Sequence, residues 1–231
     1  MKRLTNLTEG MPLANGSLFV ISGPAGAGKS MIVKRLLEKH PDVGISVSCT
    51  TRKRRAGEVA GVDYHFVSDG EFDRLIAEGG FFEWANVHQD RYGTLKSVVM
   101  DELSKGRDLI LEIDVQGCAQ AKKQYPALVK GIFVSPPSRE NIEKRLRNRH
   151  TETEEAIRVR LGNAAGEIRQ AYGYDYLIIH QDWNVVENAL EIAADEVYAI
   201  IRASRLEVRR NTAFLDQLTD SLTMGGNGHD D

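Results

Sequence analysis

Cysteine is scarce in this chain of 231 residues: Cys49 and Cys118 are the two, in neither a C-x-x-C pair nor a metal-ligand spacing, and the six histidines are equally scattered. That argues against a disulfide scaffold or a zinc module, and for reduced thiols in a cytoplasmic setting. No apolar run approaches the roughly 18 residues that suggest a membrane span. Positions 1–16 carry two basic residues without the apolar core of a secretion signal, so a soluble, unexported protein is expected. A basic excess is missing too: 30 Lys and Arg face 33 Asp and Glu, for a formal net charge of -3. No broad nucleic-acid face is expected on that balance, and a cluster such as Arg52-Lys53-Arg54-Arg55 must serve a local site. Internal repeats are also absent.

What is present is 42% hydrophobic residues, enough for the core of one α/β domain with insertions. The most informative stretch runs from Ser22 to Ser30. It fits G-x-x-x-x-G-K-[ST] with Gly23, Gly28, Lys29 and Ser30 in place, and Pro24, Ala25, Gly26 and Ala27 between. Glycines at these positions let successive backbone N–H groups face a phosphate, and the start of the following helix adds its positive end. Lys29 then reaches the β- and γ-oxygens of a nucleotide, and Ser30 holds Mg²⁺. The context agrees, since Leu18-Phe19-Val20-Ile21 reads as a strand before the loop, and Met31-Ile32-Val33 with Leu36-Leu37 as a helix after it. A dinucleotide-binding turn is disfavoured because Gly23, Gly26 and Gly28 are spaced G-x-x-G-x-G.

Further along, element types alternate. Strands are expected over 45–51, 64–67, 81–88, 108–113, 131–134 and 174–179, and helices over 31–40, 68–78, 115–125 and from about 185 onward. Tyr92-Gly93-Thr94 reads as a turn into a helix that reaches Ser104. Such alternation implies a parallel sheet covered on both faces. The stretch 138–172 is helical in pattern and rich in arginine, with Arg139, Arg145, Arg147, Arg149, Arg158, Arg160 and Arg169, and is a candidate lid. Arg145 and Arg149 share a helix face if the helix persists that far, with Arg147 pointing away from it. The ends, 1–16 and 206–231, read as tails, the second beginning with the end of a helix.

Ser46 to Arg52, then Gly57-Glu58-Val59, Gly61 to Val67, Phe82-Glu83-Trp84-Ala85 and Tyr92-Gly93-Thr94 together resemble the acceptor-binding segment of guanylate kinases, with Ile113-Asp114-Val115-Gln116-Gly117 following in family order. The resemblance covers about 17–205. It implies a P-loop nucleotide kinase with a parallel-sheet core (17–46, 95–137 and 169–205), a mixed α/β GMP-binding region (47–94) and a helical lid (138–168). The implied substrates are ATP and GMP, the implied reaction is ATP + GMP to ADP + GDP, and Mg²⁺ accompanies ATP. It places Ser48, Glu83, Thr94 and Asp114 at the guanine, and Arg52, Arg55, Tyr64 and Tyr92 at its monophosphate. On the donor side it assigns residues 23–31 to ATP, Ser30 and, through water, Glu112 to the metal, and Lys29, Arg52, Arg145, Arg149 and Arg160 to the transferring phosphoryl. Chemistry agrees for the base: guanine offers N1–H and its 2-amino group on one edge, a pair that one carboxylate accepts, while O6 needs a hydroxyl donor. No membrane or nucleic-acid partner is expected, and self-association as a homo-oligomer is left open.

Departures from the family pattern concentrate on the donor side: Met31 after the Gly-Lys-Ser, Glu112 in place of an aspartate, Asn148 and His150 around Arg149, and His180-Gln181-Asp182 after the last strand. Arg54 replaces a proline near the acceptor phosphate. Two other functions compete, a non-catalytic protein-interaction module and a phosphotransferase acting on a phosphorylated sugar. An intact Lys29-Ser30 pair speaks against the first, and the set of Ser48, Glu83 and Tyr92 against the second.

Overall fold

The computed structural model of the chain describes residues 16–87, 89–148, 153–182 and 184–224. Its frame is a five-stranded, wholly parallel sheet: β1 (Leu18–Ser22), β2 (Gly44–Ile45), β7 (Leu109–Glu112), β8 (Val129–Ser135) and β9 (Tyr176–Ile179), in the order β2-β7-β1-β8-β9. β1 is therefore central, and every residue of it is buried. Near-continuous apolar strands are what a parallel sheet with both faces covered demands.

On one face, α1 (Lys29–Lys39) and α7 (Ala189–Arg205) pack Ile32, Val33, Leu36, Val197 and Ile201 against Phe19 and Ile21. On the other, α3 (Lys96–Ser104) and α4 (Val115–Gln124) meet Leu18 and Val20 through Val99, Leu103, Cys118 and Ala121. Alternate residues of β1 thus serve alternate faces, as the strand period requires. The loop after β1 emerges at the carboxyl edge of the sheet, where such folds bind ligands.

A second, four-stranded sheet is built by β3 (Cys49–Thr50), β4 (His65–Phe66), β5 (Phe81–Val87) and β6 (Asp90–Leu95), in the order β4-β3-β6-β5, with α2 (Asp69–Ala77) packed on it through Phe72. Two helices, α5 (Arg139–Arg147) and α6 (Glu154–Arg169), form a small unit over the phosphate loop, where Ile142, Leu146 and Ile157 pack with Ala25.

Four expectations are corrected. The strand expected over 45–51 is two strands in different sheets, because the chain crosses between them at 46–48. Tyr92-Gly93-Thr94 lies inside β6, not in a turn. Gly93 is there for close approach: a Cβ would sit 2.8 Å from the Phe81 ring and 3.0 Å from Trp84 Cβ. α5 stops at Arg147 with Asn148 as its C-cap, so no continuous helix joins Arg145 to position 149. The C-terminal stretch carries a further helix, α8 (Thr212–Met224). Arg149, His150 and the chain end beyond 224 lie outside the described residues.

Candidate active site

A cleft of about 670 Å³ runs along the carboxyl edge of the large sheet, and its walls come from the phosphate loop, the small sheet, α5, α6 and the loop after β9. That volume suits small-molecule ligands. Of the residues expected at the site, Gly23, Ala25, Gly26, Gly28, Lys29, Ser30, Met31, Ser48, Arg52, Arg55, Tyr64, Glu83, Tyr92, Glu112, Asp114, Arg145 and Arg160 all line it. Pro24, Ala27 and Thr94 do not.

At the loop end, Gly28 adopts a left-handed φ of 89° and caps α1, with its Cα so close to His180 that a Cβ would lie 2.5 Å from the ring Nδ1. Lys29 Nζ donates to the carbonyls of Gly23 (2.7 Å) and Pro24 (3.2 Å). The Ser30 hydroxyl donates to Glu112 Oε1 at 2.6 Å, so a hydroxyl and a carboxylate, oxygens of the kind that could hold a hard cation, meet beside the loop from α1 and the end of β7. His180 is buried and its Nδ1 lies 2.9 Å from the Ala27 carbonyl, and burial pushes the imidazole toward its neutral form. Arg145 reaches the same loop. Its guanidinium donates to Asp182 Oδ1 (2.6 and 3.0 Å) and to the carbonyls of Ala27, His180 and Gln181. Burial works against the Asp182 carboxylate, yet Arg145, Asn141 and Lys144 hold it below the usual range.

The far end is built on the small sheet. Glu83 and Thr94 face each other across β5 and β6, and the Thr94 hydroxyl donates to Glu83 Oε1 at 2.6 Å. Glu83 is only 3% exposed, and burial, with Asp114 nearby, pushes its carboxyl up to about 7. Ser48 is buried at the cleft wall, while Thr94 is fully buried behind Glu83. Asp114 caps α4, accepting from the Gly117 N–H at 2.9 Å and from Gln116 at 3.0 Å.

Between these ends, Arg52 donates to Glu58 Oε1 (2.6 Å) and Tyr92 Oη (3.2 Å) and lies 5.4 Å over the Tyr64 ring. Burial raises the Tyr64 phenol, keeping it a neutral donor, and its ring meets Tyr92 edge-on at 5.8 Å. Glu58 also accepts from the Arg55 backbone N–H at 2.8 Å, and Arg52 holds its carboxylate low. Sequence reasoning gave Glu58 no role. The signal was a lone carboxylate six residues after Arg52 in a basic run. Asp182, 37 residues from Arg145, had no comparable local signal.

Arg147 stands apart, paired on the surface with Glu143 and Glu154.

Comparison with known proteins agrees with this geometry. The family model described as "Guanylate kinase" matches residues 15–203. Curated relatives include a guanylate kinase of Syntrophotalea carbinolica, 45% identical over 91% of this chain and 99% of the relative, and one of Methylococcus capsulatus, 42% identical with the same coverage. Among solved structures, a guanylate kinase from Anaplasma phagocytophilum superimposes with a TM-score of 0.69 at 34% identity, covering 85% of this chain and 90% of that one.

Proposed function

The chain belongs to the guanylate kinase family, and from that premise we propose that its cleft carries the γ-phosphoryl of ATP to GMP, with the residues above in the parts described next. It is an ATP:GMP phosphotransferase. The observation that carries the assignment of parts is the buried Glu83–Thr94 pair at the opposite end of the cleft from the phosphate loop.

Glu83 accepts guanine N1–H and the 2-amino group, Ser48 donates to O6, and Thr94 holds the carboxylate for the task. Adenine presents an unprotonated N1 and no 2-amino group, so Glu83 in the charged form that guanine requires would face a lone pair with its own. Arg52, Arg55, Tyr64 and Tyr92 take the monophosphate, which displaces Glu58 from part of the guanidinium. No nucleophilic side chain is needed, because a phosphate oxygen of GMP attacks the γ-phosphorus while the bond to the ADP oxygen breaks. The protein's work is alignment and charge stabilisation.

Residues 23–31 receive the phosphates of ATP, with Lys29 leaving the loop carbonyls for the β- and γ-oxygens. Ser30 and, through water, Glu112 would hold Mg²⁺, since their hydroxyl and carboxylate oxygens already converge beside the loop. The chemistry such an ion would supply at these residues is neutralisation of charge on the phosphates. Arg160 supplies charge to the transferring group from α6. Arg145 joins the lid helix to the loop beside the donor base. Residues 47–94 act as the GMP-binding region and 138–168 as a lid that excludes water on closing. No helix among the described residues is long and apolar enough to cross a membrane.

ADP release measured across a panel of nucleoside monophosphates tests the reading. GMP, with dGMP comparable or slower, should far exceed AMP; equal rates with AMP and GMP would overturn it.

A further inference from the structure

We propose that Gly117 is a specificity-positioning residue: the missing side chain on the first turn of α4 is the space that holds the Glu83 carboxylate in line for guanine. The inference rests on Glu83 reading the base. A Cβ built on Gly117 would stand 2.4 Å from Glu83 Oε2 and 3.1 Å from its Cδ, with Ile113 Cδ1 3.2 Å away. No real contact is that short, so a methyl group there must move the carboxylate.

Glu83 is fixed from both sides. Thr94 holds Oε1 from the facing strand, and Oε2 lies against the bare Cα of Gly117. Neither partner can retreat without cost to the other contacts. α4 is tied to β5 by the Trp84 N–H donating to Gln120 Oε1 at 3.0 Å, and β5 to β6 by their ladder. Glycine is among the poorest helix formers, and Gly117 sits within α4 with an ordinary helical φ, so the turn itself does not call for it. Packing does.

The consequence is unusual for a buried glycine. The atom in the way is the far end of a flexible side chain, so Gly117→Ala leaves the fold intact and spends its effect on the site. Asp114 keeps its cap, because alanine retains the N–H that the carboxylate accepts.

The test compares KM for GMP, KM for ATP, kcat, the GMP-over-AMP preference and the melting temperature in Gly117→Ala, Glu83→Asp, the double variant and Gly70→Ala. Gly70 is a control, a helical glycine on α2 with open space around its Cβ. Gly117→Ala should raise KM for GMP about tenfold or more and erode the preference, as loss of a charged hydrogen-bonding group does. KM for ATP, kcat and the melting temperature should stay near wild type, as they should in Gly70→Ala. In the double variant the shorter carboxylate makes room for the methyl, so its KM for GMP should be no worse than the worse single variant. Unchanged KM for GMP in Gly117→Ala, a multiplicative double variant, or equal losses in both KM values with a lowered melting temperature would each overturn the proposal. If Gly117→Ala fails to fold, a folded double variant supports the contact and an unfolded one refutes it. Glu83→Gln separates the two layers: if it keeps the preference for GMP, the reading of Glu83 falls, and if only Gly117→Ala keeps it, the positioning role falls.

Discussion

The two ends of the cleft are built to different standards. At the acceptor end the Glu83–Thr94 pair is buried on facing strands of the small sheet, and the groups of this end hold one another before any ligand arrives: Glu83 by Thr94, Arg52 by Glu58 and Tyr92. At the donor end the charged groups come from separate elements: Lys29 begins α1, Arg145 and Arg160 stand on α5 and α6, Glu112 ends β7 and Asp182 follows β9. Lys29 and Arg145 are turned toward carbonyls and Asp182 of the protein itself. A base is read by fixed lone pairs and protons, so its site is best prepared in advance, whereas phosphoryl transfer needs charges that meet the nucleotide only when both substrates are in place. The difference separates recognition from rate, and each change below should move one and spare the other.

The largest effect is expected from Lys29→Met, which should abolish turnover while leaving GMP binding and the circular dichroism spectrum intact. Activity near wild type would mean that the donor end is not the phosphate site. Next comes Arg160→Ala. If Arg160 meets the transferring group mainly in the transition state, kcat should fall on the order of 10²-fold with KM for GMP little changed. An equal loss in both would merge the two ends into one.

A smaller loss, confined to the acceptor end, is expected of Glu83→Gln: guanine preference should fall by about 1–3 kcal/mol, read as the ratio of kcat/KM for GMP and AMP. The same residue sets a pH signature. Its carboxyl lies near 7 in the folded chain against 4.5 as its reference value, so between those limits the native state holds a proton that the unfolded state has lost. Stability from Glu83 is therefore greatest below about 4.5 and falls as pH rises toward 7. Melting curves from pH 5 to 8 should show wild type losing ground to Glu83→Gln over that window; parallel curves would contradict the burial. The smallest effect is reserved for Arg147→Ala, within a few-fold of wild type in every constant, since exposed ion pairs such as those with Glu143 and Glu154 contribute little.

Much of this was legible in the sequence where the signal is local. The phosphate loop sits between an apolar run and a helical period, and both flanks formed as the periods required. Glu83 and Ser48 were expected at the guanine from the base's own donors and acceptors, and Tyr92 at its phosphate from the family resemblance; all three line the cleft. What could not be read was set by distant neighbours. Gly93 carries the sequence mark of a turn but serves Phe81 on the next strand. Three residues at 46–48 carry the chain from one sheet to another, although the alternation through them looks unbroken. Arg145 shows a basic helix face in sequence, yet its position is decided by Asp182, and Gly117 gains its meaning only when Glu83 arrives against it.

The acceptor end's readiness can be measured directly, by calorimetric titration of GMP alone at pH 6.5 in two buffers of different ionisation heat. On the proposed reading guanine is accepted by a charged Glu83, so a carboxyl near 7 must give up its proton on binding. The phosphate of GMP itself titrates near 6, roughly, and contributes to any release, so Glu83→Gln is the reference. Wild type should release clearly more protons per GMP bound than Glu83→Gln. Equal release in the two proteins would contradict a buried, protonated Glu83 waiting for guanine.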